Sequence, residues 1–183
     1  MKRILFAVIL IGMFNFKTIA NSNYKQTFFD FSIKSNTGKI INLNQYKNNV
    51  ILIVNTASYC GFTKQYSDMQ KLWDEYKKDG LVVIGVPSNS FNQEKSKDTE
   101  VKEFCEVNFN ITFPITTITN VKGDEAHEIY KWARKNHGKS AIPKWNFHKI
   151  LINKYGKIEE TYSSFTKPTS KKITSKIESL LEN

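Results

Sequence analysis

Cysteine is scarce in this chain, where only Cys60 and Cys105 carry a thiol among 183 residues. Thr63 and Lys64 stand three and four positions after Cys60, where a neighbouring second cysteine would have to lie. Exchange through a Cys-x-x-Cys dithiol and copper delivery through a Cys-x-x-x-Cys pair are therefore excluded. The simplest alternative, if the protein is in an oxidising compartment, is that the two cysteines form one structural disulfide.

Arginine and histidine are also rare. The chain has 27 basic and 17 acidic residues, yet its arginines are only Arg3 and Arg134. Scattered lysines make few of the forked phosphate contacts that nucleic-acid binding uses, so we expect no nucleic-acid partner. His127, His137 and His148 are far apart and fit no Cys/His metal spacing, so we interpret them as surface or turn residues and expect no metal.

Long apolar runs are absent except at the start. Residues 4–16 are almost entirely apolar, follow Lys2 and Arg3, and precede the small-residue stretch 18–20. This layout predicts a cleaved signal peptide over residues 1–20 and hence an exported protein, with an uncleaved anchor as the alternative. The run is shorter than the roughly 20 residues that span a bilayer, so we expect no stable membrane span. Residues 21–183 keep 24 basic and 17 acidic residues, a net charge of +7.

No repeat or Pro/Gly/Ser-rich linker interrupts residues 21–183, which predicts one domain. Apolar and polar residues alternate over 28–43 on both sides of a turn at 35–38, and this pattern predicts an N-terminal β-hairpin. The stretch from residue 48 to 86 predicts strand, helix and strand, because buried aliphatic runs at 50–54 and 81–86 flank a helical stripe that ends at Gly80. Such a unit forms a parallel pair of strands.

The second half predicts a helix capped by Asp98 or Thr99, a third strand at 111–118 and another helix near Trp132. A hairpin over 149–162 and a last helix that starts at Pro168 follow. The whole order favours an α/β, thioredoxin-like fold, in which a mixed central sheet is flanked by helices.

Cys60 lies just after the first buried strand and just before a helix. Unpaired N–H groups and the helix dipole at such a position favour the thiolate, the reactive form of cysteine. A buried thiol or a disulfide remains the alternative from these residues alone.

Three ordered blocks then point to one family. Residues 54–63 (VNTASYCGFT), 85–94 (GVPSNSFNQE) and 144–147 (KWNF) resemble signatures of the glutathione peroxidase family, and the likeness extends over residues 24–182. The second block has a single residue, Asn92, between Phe91 and Gln93, one fewer than is usual. The resemblance implies a peroxidase that needs no cofactor.

The resemblance also implies the site. Cys60 matches the residue that attacks the peroxide, and Gln93, Trp145 and Asn146 match the donors of the catalytic tetrad. Neutral donors suit this reaction because negative charge develops on the departing oxygen when the O–O bond breaks. The product on Cys60 is a sulfenic acid.

Cys105 resembles the resolving cysteine of the thioredoxin-dependent branch, although its apolar helical stripe also fits a plain buried thiol. The expected reductant is a thioredoxin-like protein or glutathione, and the expected substrate is hydrogen peroxide or an organic or lipid hydroperoxide. The short segment 136–144 resembles monomeric members with an open site. Two alternatives remain, namely a thiol peroxide sensor without steady turnover and an inert binding domain with a Cys60–Cys105 disulfide.

Overall fold

The computed structural model describes residues 24–182, so the predicted signal peptide at residues 1–20 lies outside the described residues. Within that range no helix is long and apolar enough to cross a membrane. The strands are β1 (Ser32–Lys34), β2 (Ile40–Asn42), β3 (Val50–Thr56), β4 (Leu81–Pro87), β5 (Lys149–Ile152) and β6 (Ile158–Tyr162). The α-helices are α1 (Gln65–Tyr76), α2 (Asp98–Phe109), α3 (Glu128–His137) and α4 (Lys171–Glu182).

Four strands form the central sheet in the order β4-β3-β5-β6. Strand β3 pairs in parallel with β4 and antiparallel with β5, so that Val54 lies between Gly85 and Lys149. Strands β5 and β6 form the predicted hairpin. The mixed sheet and the parallel pair predicted from the sequence are confirmed.

The sheet separates two apolar cores, because successive side chains of a strand point to opposite faces. Val50, Leu52 and Val54 of β3 face one core, while Ile51 and Ile53 face the other. The first core is closed by buried residues of three helices: Met69 and Leu72 of α1, Val101 and Cys105 of α2, and Ile173 and Ile177 of α4. Helix α3 and the segment around β1 close the second: Phe28, Phe29, Ile33, Ile129 and Trp132.

The N-terminal hairpin is present as β1 and β2, paired antiparallel in a separate two-stranded sheet. Its turn includes Gly38 at φ 84°, a left-handed value that glycine adopts without strain. Ile33 of β1 is buried in the second core. The hairpin therefore covers the sheet face opposite α1.

The prediction of a third regular strand at 111–118 is wrong. The segment makes one parallel bridge from Ile115 to Gly85 and one antiparallel bridge from Thr116 to Ser35. Pro114 contributes its carbonyl, which accepts a hydrogen bond from the Gly85 amide at 2.9 Å, but it has no N–H to extend a ladder. Contact with β4 is thus confined to a short stretch.

Two predicted helix starts also differ. Asp98 is the first residue of α2 and does not cap it, because its Oδ1 accepts a hydrogen bond from the Ile118 amide at 2.7 Å. Helix α4 begins at Lys171, three residues after Pro168. The side chain of Asp98 is engaged in a tertiary hydrogen bond, and the residues after Pro168 form a turn before the helix begins. Helix ends predicted from local sequence are therefore shifted by a few residues.

Gly85 of β4 is packed tightly against the segment 111–118. A Cβ on this residue would lie 2.7 Å from Cδ1 of Ile115 and 3.2 Å from the Phe113 ring. We expect Gly85→Ala to reduce the free energy of unfolding by about 1–3 kcal/mol because the added methyl overpacks the site. Gly61→Ala is the matched control, since a Cβ there meets no atom within 4 Å. Urea denaturation of both variants measures the difference, and equal stability of the two would contradict the packing.

Candidate active site

Three loops meet at one edge of the central sheet. The first follows β3 and carries Cys60, and the second follows β4 and carries Gln93. The third precedes β5 and carries Trp145 and Asn146. Because β4 runs parallel to β3 and β5 runs antiparallel to it, the ends of β3 and β4 and the start of β5 lie at the same edge. The topology therefore brings the four sequence-predicted residues to one end of the sheet.

Cys60 lies in a tight turn, one turn ahead of α1, with 7 % of its surface exposed. Its Sγ accepts a hydrogen bond from the Phe62 amide at 3.5 Å, and such a donor stabilises negative charge on sulfur. The Cys60 amide itself donates to Oγ1 of Thr63 at 3.1 Å. Thr63, the residue that excludes a Cys-x-x-Cys pair, thus closes the turn around the thiol.

The second loop is hydrogen-bonded to the Cys60 loop. The Ser58 amide donates to Oε1 of Glu94 at 3.1 Å, and the Tyr59 amide donates to the carbonyl of Gln93 at 2.9 Å. Together with the Cys60 amide, three consecutive N–H groups have fixed acceptors. The position of the thiol relative to Gln93 is therefore set by direct hydrogen bonds.

Gln93 and Asn146 are in contact, since Nδ2 of Asn146 donates to Oε1 of Gln93 at 2.9 Å. Asn92 precedes Gln93 with φ 56°, a left-handed conformation that asparagine tolerates better than most residues. This single residue completes the turn of the shortened second block and leaves the Gln93 side chain directed to the third loop.

Asn55, at the end of β3, fixes the third loop. Its Nδ2 donates to the carbonyl of Trp145 at 3.1 Å, and its Oδ1 accepts from the His148 amide at 3.1 Å. Trp145 remains 42 % exposed, and its ring lies 5.4 Å from the Phe91 ring, centroid to centroid. The backbone of this loop is anchored while the Trp145 ring stays at the surface.

Cys105 is the more deeply buried thiol, with 2 % of its surface exposed on the inner face of α2. Burial raises the pKa of its thiol to about 11, an effect that the neighbouring Tyr66 hydroxyl offsets only in part. Both cysteines are free thiols and border the same apolar core. Cys105 is therefore enclosed in the core that Cys60 also borders.

Sequence reasoning missed two buried charged residues beside this site. Glu94 is 8 % exposed, and burial raises the pKa of its carboxyl. Lys149 is fully buried, and its Nζ donates to Oε1 of Gln65 at 2.5 Å and to the carbonyl of Ser163 at 3.4 Å. The sequence signal that could have indicated a buried Lys149 is its position in an otherwise apolar strand. Glu94 had no signal except its position next to Gln93.

The interpretation of His148 as a surface or turn residue is wrong. Its side chain is 8 % exposed, and burial lowers its pKa to about 4, so that it is neutral near pH 7. His127 and His137 are half-buried. Among residues 24–182 no group of three or more His, Cys, Asp or Glu side chains could hold a metal ion.

A family model described as glutathione peroxidase matches residues 28–134 of this chain. The chain belongs to the glutathione peroxidase family. It is therefore a glutathione peroxidase-like peroxidase, as the three sequence blocks predict. The matched range contains Cys60, Gln93, Glu94 and Cys105, and it ends before Trp145.

Relatives extend the match over most of the chain. The glutathione peroxidase of Lactococcus lactis subsp. cremoris is 40 % identical over 145 residues, which cover 77 % of this chain and 92 % of the relative. The glutathione peroxidase-like peroxiredoxin gpx1 of Schizosaccharomyces pombe is 38 % identical over 157 residues, which cover 84 % of this chain and 98 % of the relative.

Solved structures confirm the fold. The crystal structure of Trgpx in apo form is 36 % identical, with a TM-score of 0.69 and coverage of 87 % of this chain and 97 % of that one. A thioredoxin family protein from Chlorobium tepidum TLS, a thiol:disulfide interchange protein, is 16 % identical with a TM-score of 0.62 and coverage of 82 % and 92 %. The second likeness shows the fold alone, and it is the thioredoxin-like fold predicted from the sequence.

Lys149 gives the peroxidase a defined pH dependence of stability. Burial lowers the pKa of Lys149 from 10.5 to about 7, so between these values the unfolded chain binds a proton that the folded chain does not. Stability therefore rises with pH across this window, by at most about 1.4 kcal/mol per pH unit. We expect Lys149→Met to remove that rise, whereas Lys167→Met, at an exposed lysine, retains it. Urea denaturation at pH 7, 8 and 9 checks this, and parallel curves for wild type and Lys149→Met would contradict it.

Proposed function

We propose that the chain is a thiol peroxidase in which Cys60 reduces hydrogen peroxide or organic hydroperoxides. The thiolate of Cys60 attacks one peroxide oxygen, the O–O bond breaks, and the departing oxygen takes up a proton to leave as water or an alcohol. Cys60 becomes a sulfenic acid. The observation that carries the proposal is the hydrogen-bonded connection from the Cys60 loop to Gln93 and from Gln93 to Asn146.

Gln93, Trp145 and Asn146 supply neutral donors in this proposal. Because Oε1 of Gln93 accepts from Asn146, the amide group of Gln93 keeps its Nε2 hydrogens for another acceptor. Trp145 is exposed and lies in the third loop, and its indole N–H is the third neutral donor of the proposal. Donors held by a rigid frame stabilise the developing charge without reorganisation during the reaction.

Cys105 is the proposed resolving residue, which attacks the Cys60 sulfenic acid to give an intramolecular disulfide. Its burial on the inner face of α2 means that part of this helix opens during turnover. A thioredoxin-like dithiol protein or glutathione then reduces the disulfide. The peroxiredoxin name of relatives such as the Schizosaccharomyces pombe protein supports thiol-based peroxide reduction. We further propose that the enzyme is exported and monomeric.

Substitution of the two cysteines tests the cycle. With thioredoxin and its reductase as donor, we expect the wild type to consume peroxide and both Cys60→Ser and Cys105→Ser to lose turnover. Coupled NADPH oxidation measures this, with glutathione and glutathione reductase as the parallel donor. Turnover with glutathione that survives Cys105→Ser would discard the resolving role. Loss of a single equivalent of peroxide without turnover would favour the sensor, and no consumption by the wild type would overturn the proposed function.

Substitution of the amide donors tests the first step alone. We expect Gln93→Ala and Asn146→Ala to slow the oxidation of Cys60 by about 100-fold, because each removes a donor to the departing oxygen. Stopped-flow mixing of the reduced enzyme with peroxide measures the rate. Asn136→Ala is the matched control, since that amide bonds the Trp132 carbonyl within α3. Wild-type oxidation rates in both tetrad variants would contradict these roles.

A further inference from the structure

A pocket of about 280 Å³ lies between the third loop and the segment 161–165 at the end of β6. Its lining surface is mainly apolar, and its larger lining side chains are Ile142, Trp145, His148, Tyr162 and Phe165. Small-molecule sites are typically concave and apolar, with a few polar groups. This Trp145 pocket has that character, and it shares one residue with the proposed peroxide site.

The Trp145 pocket presents little charge to a ligand. The Tyr162 hydroxyl already donates a hydrogen bond to Oε2 of Glu160 at 2.9 Å. Burial lowers the pKa of His148 to about 4, so its imidazole is neutral near pH 7. Lys144, an exposed residue, is the one cation among the described residues that line the pocket. Because a buried charge needs a partner and an apolar wall does not, the pocket favours an uncharged, apolar ligand.

Phe165 connects the Trp145 pocket to the turn that carries Cys60. Its ring meets the Phe62 ring edge to face, with 5.2 Å between the centroids. Phe62 is the residue whose amide donates to Sγ of Cys60 at 3.5 Å. Phe165 itself is 82 % exposed, so its ring is available to a ligand. One wall of the pocket is therefore a proposed donor of the reaction, and another contacts the Cys60 turn.

Buried hydrogen bonds fix the segment that carries Phe165. Nε2 of Gln65, the first residue of α1, donates to the carbonyl of Ser164 at 2.6 Å. Oε1 of the same side chain accepts from Nζ of Lys149. The segment is thus tied to the helix that follows Cys60 and to β5. A wall that is already ordered costs little conformational entropy when a ligand binds.

The chemistry of O–O cleavage places an organic group beside Trp145. In an organic hydroperoxide, ROOH, the thiolate attacks the oxygen that carries hydrogen, and the oxygen that carries the organic group R departs. In the proposed function Gln93, Trp145 and Asn146 stabilise this departing oxygen. The group R is bonded directly to the oxygen that the indole N–H contacts. The nearest apolar space for R is then the pocket of which Trp145 is a wall.

We propose that the Trp145 pocket binds the organic group of a compact, apolar hydroperoxide, and that Phe165 and Ile142 select for this group. The inference rests on the proposed peroxidase function. Pockets that enclose drug-sized ligands begin at about 300 Å³, so this one suits a single aromatic ring or a short alkyl group. Hydrogen peroxide has no organic group and gains no contact there. The thiolate, ROOH and a proton from solvent give the sulfenic acid and the alcohol ROH.

The ratio of two oxidation rates tests the selection. Stopped-flow mixing of the reduced protein with cumene hydroperoxide and, in parallel, with hydrogen peroxide gives a second-order rate constant for each. We expect Phe165→Ala to lower the ratio of the cumene hydroperoxide constant to the hydrogen peroxide constant by about tenfold, because the aromatic wall is lost. Ile142→Ala removes apolar surface from the third loop and lowers the same ratio.

Tyr155→Ala is the matched control. Tyr155 is an aromatic residue with 74 % exposure in the turn between β5 and β6, and it does not line the Trp145 pocket. We expect this variant to keep the wild-type ratio. A wild-type ratio in both Phe165→Ala and Ile142→Ala would overturn the proposal, and so would the same fall in Tyr155→Ala.

Binding without turnover gives an independent readout. The probe is 2-phenylpropan-2-ol, the alcohol formed from cumene hydroperoxide, which cannot oxidise Cys60. In an NMR titration we expect it to shift the Trp145 indole and Phe165 ring signals of the wild type, and the Trp145 shift to weaken in Phe165→Ala. Shifts confined to other residues would overturn the pocket. If the wild type consumes neither peroxide, the proposed function fails, and the alcohol titration still decides whether the pocket binds an apolar group.

Discussion

The pairing of β3 on both of its sides is the constraint on which the rest of the structure depends. All seven residues of this strand are buried, and Val54 lies between Gly85 of one neighbour and Lys149 of the other. A parallel partner and an antiparallel partner together bring two strand ends and one strand start to a single edge. Asn55, the next residue, then bonds the loop that carries Trp145 and Asn146. A shift in this register would separate all three loops of the site.

The residues around Cys60 differ in how fully their polar groups are hydrogen-bonded. The amides of Ser58, Tyr59 and Cys60 are all bonded, so the thiol has a fixed position. In contrast, Oη of Tyr66 and Oε2 of Glu94 are buried and have no hydrogen-bond partner. Buried oxygens without a partner reduce the free energy of unfolding.

Much of the frame could be predicted because its signals are local. The aliphatic run at 50–54 and the stripe through Met69 and Leu72 follow strand and helix periods, which the chain itself carries. The segment 111–118 could not be predicted in the same way. It has the composition of a strand, yet Pro114 and the close contact with Gly85 limit it to isolated bridges. Pairing depends on a partner elsewhere in the sequence, and no local pattern records that partner.

The same distinction applies to the site. The order of the three blocks determined which residues take part, because the types Cys60, Gln93, Trp145 and Asn146 occur in motifs that can be read directly. Burial and contact were decided by the tertiary structure, since both depend on segments far apart in the chain. Only folding brings Nδ2 of Asn146 within 2.9 Å of Oε1 of Gln93 and buries the side chains of Glu94, His148 and Lys149. Desolvation and hydrogen bonding then set the protonation of these groups, and neither exists in the unfolded sequence.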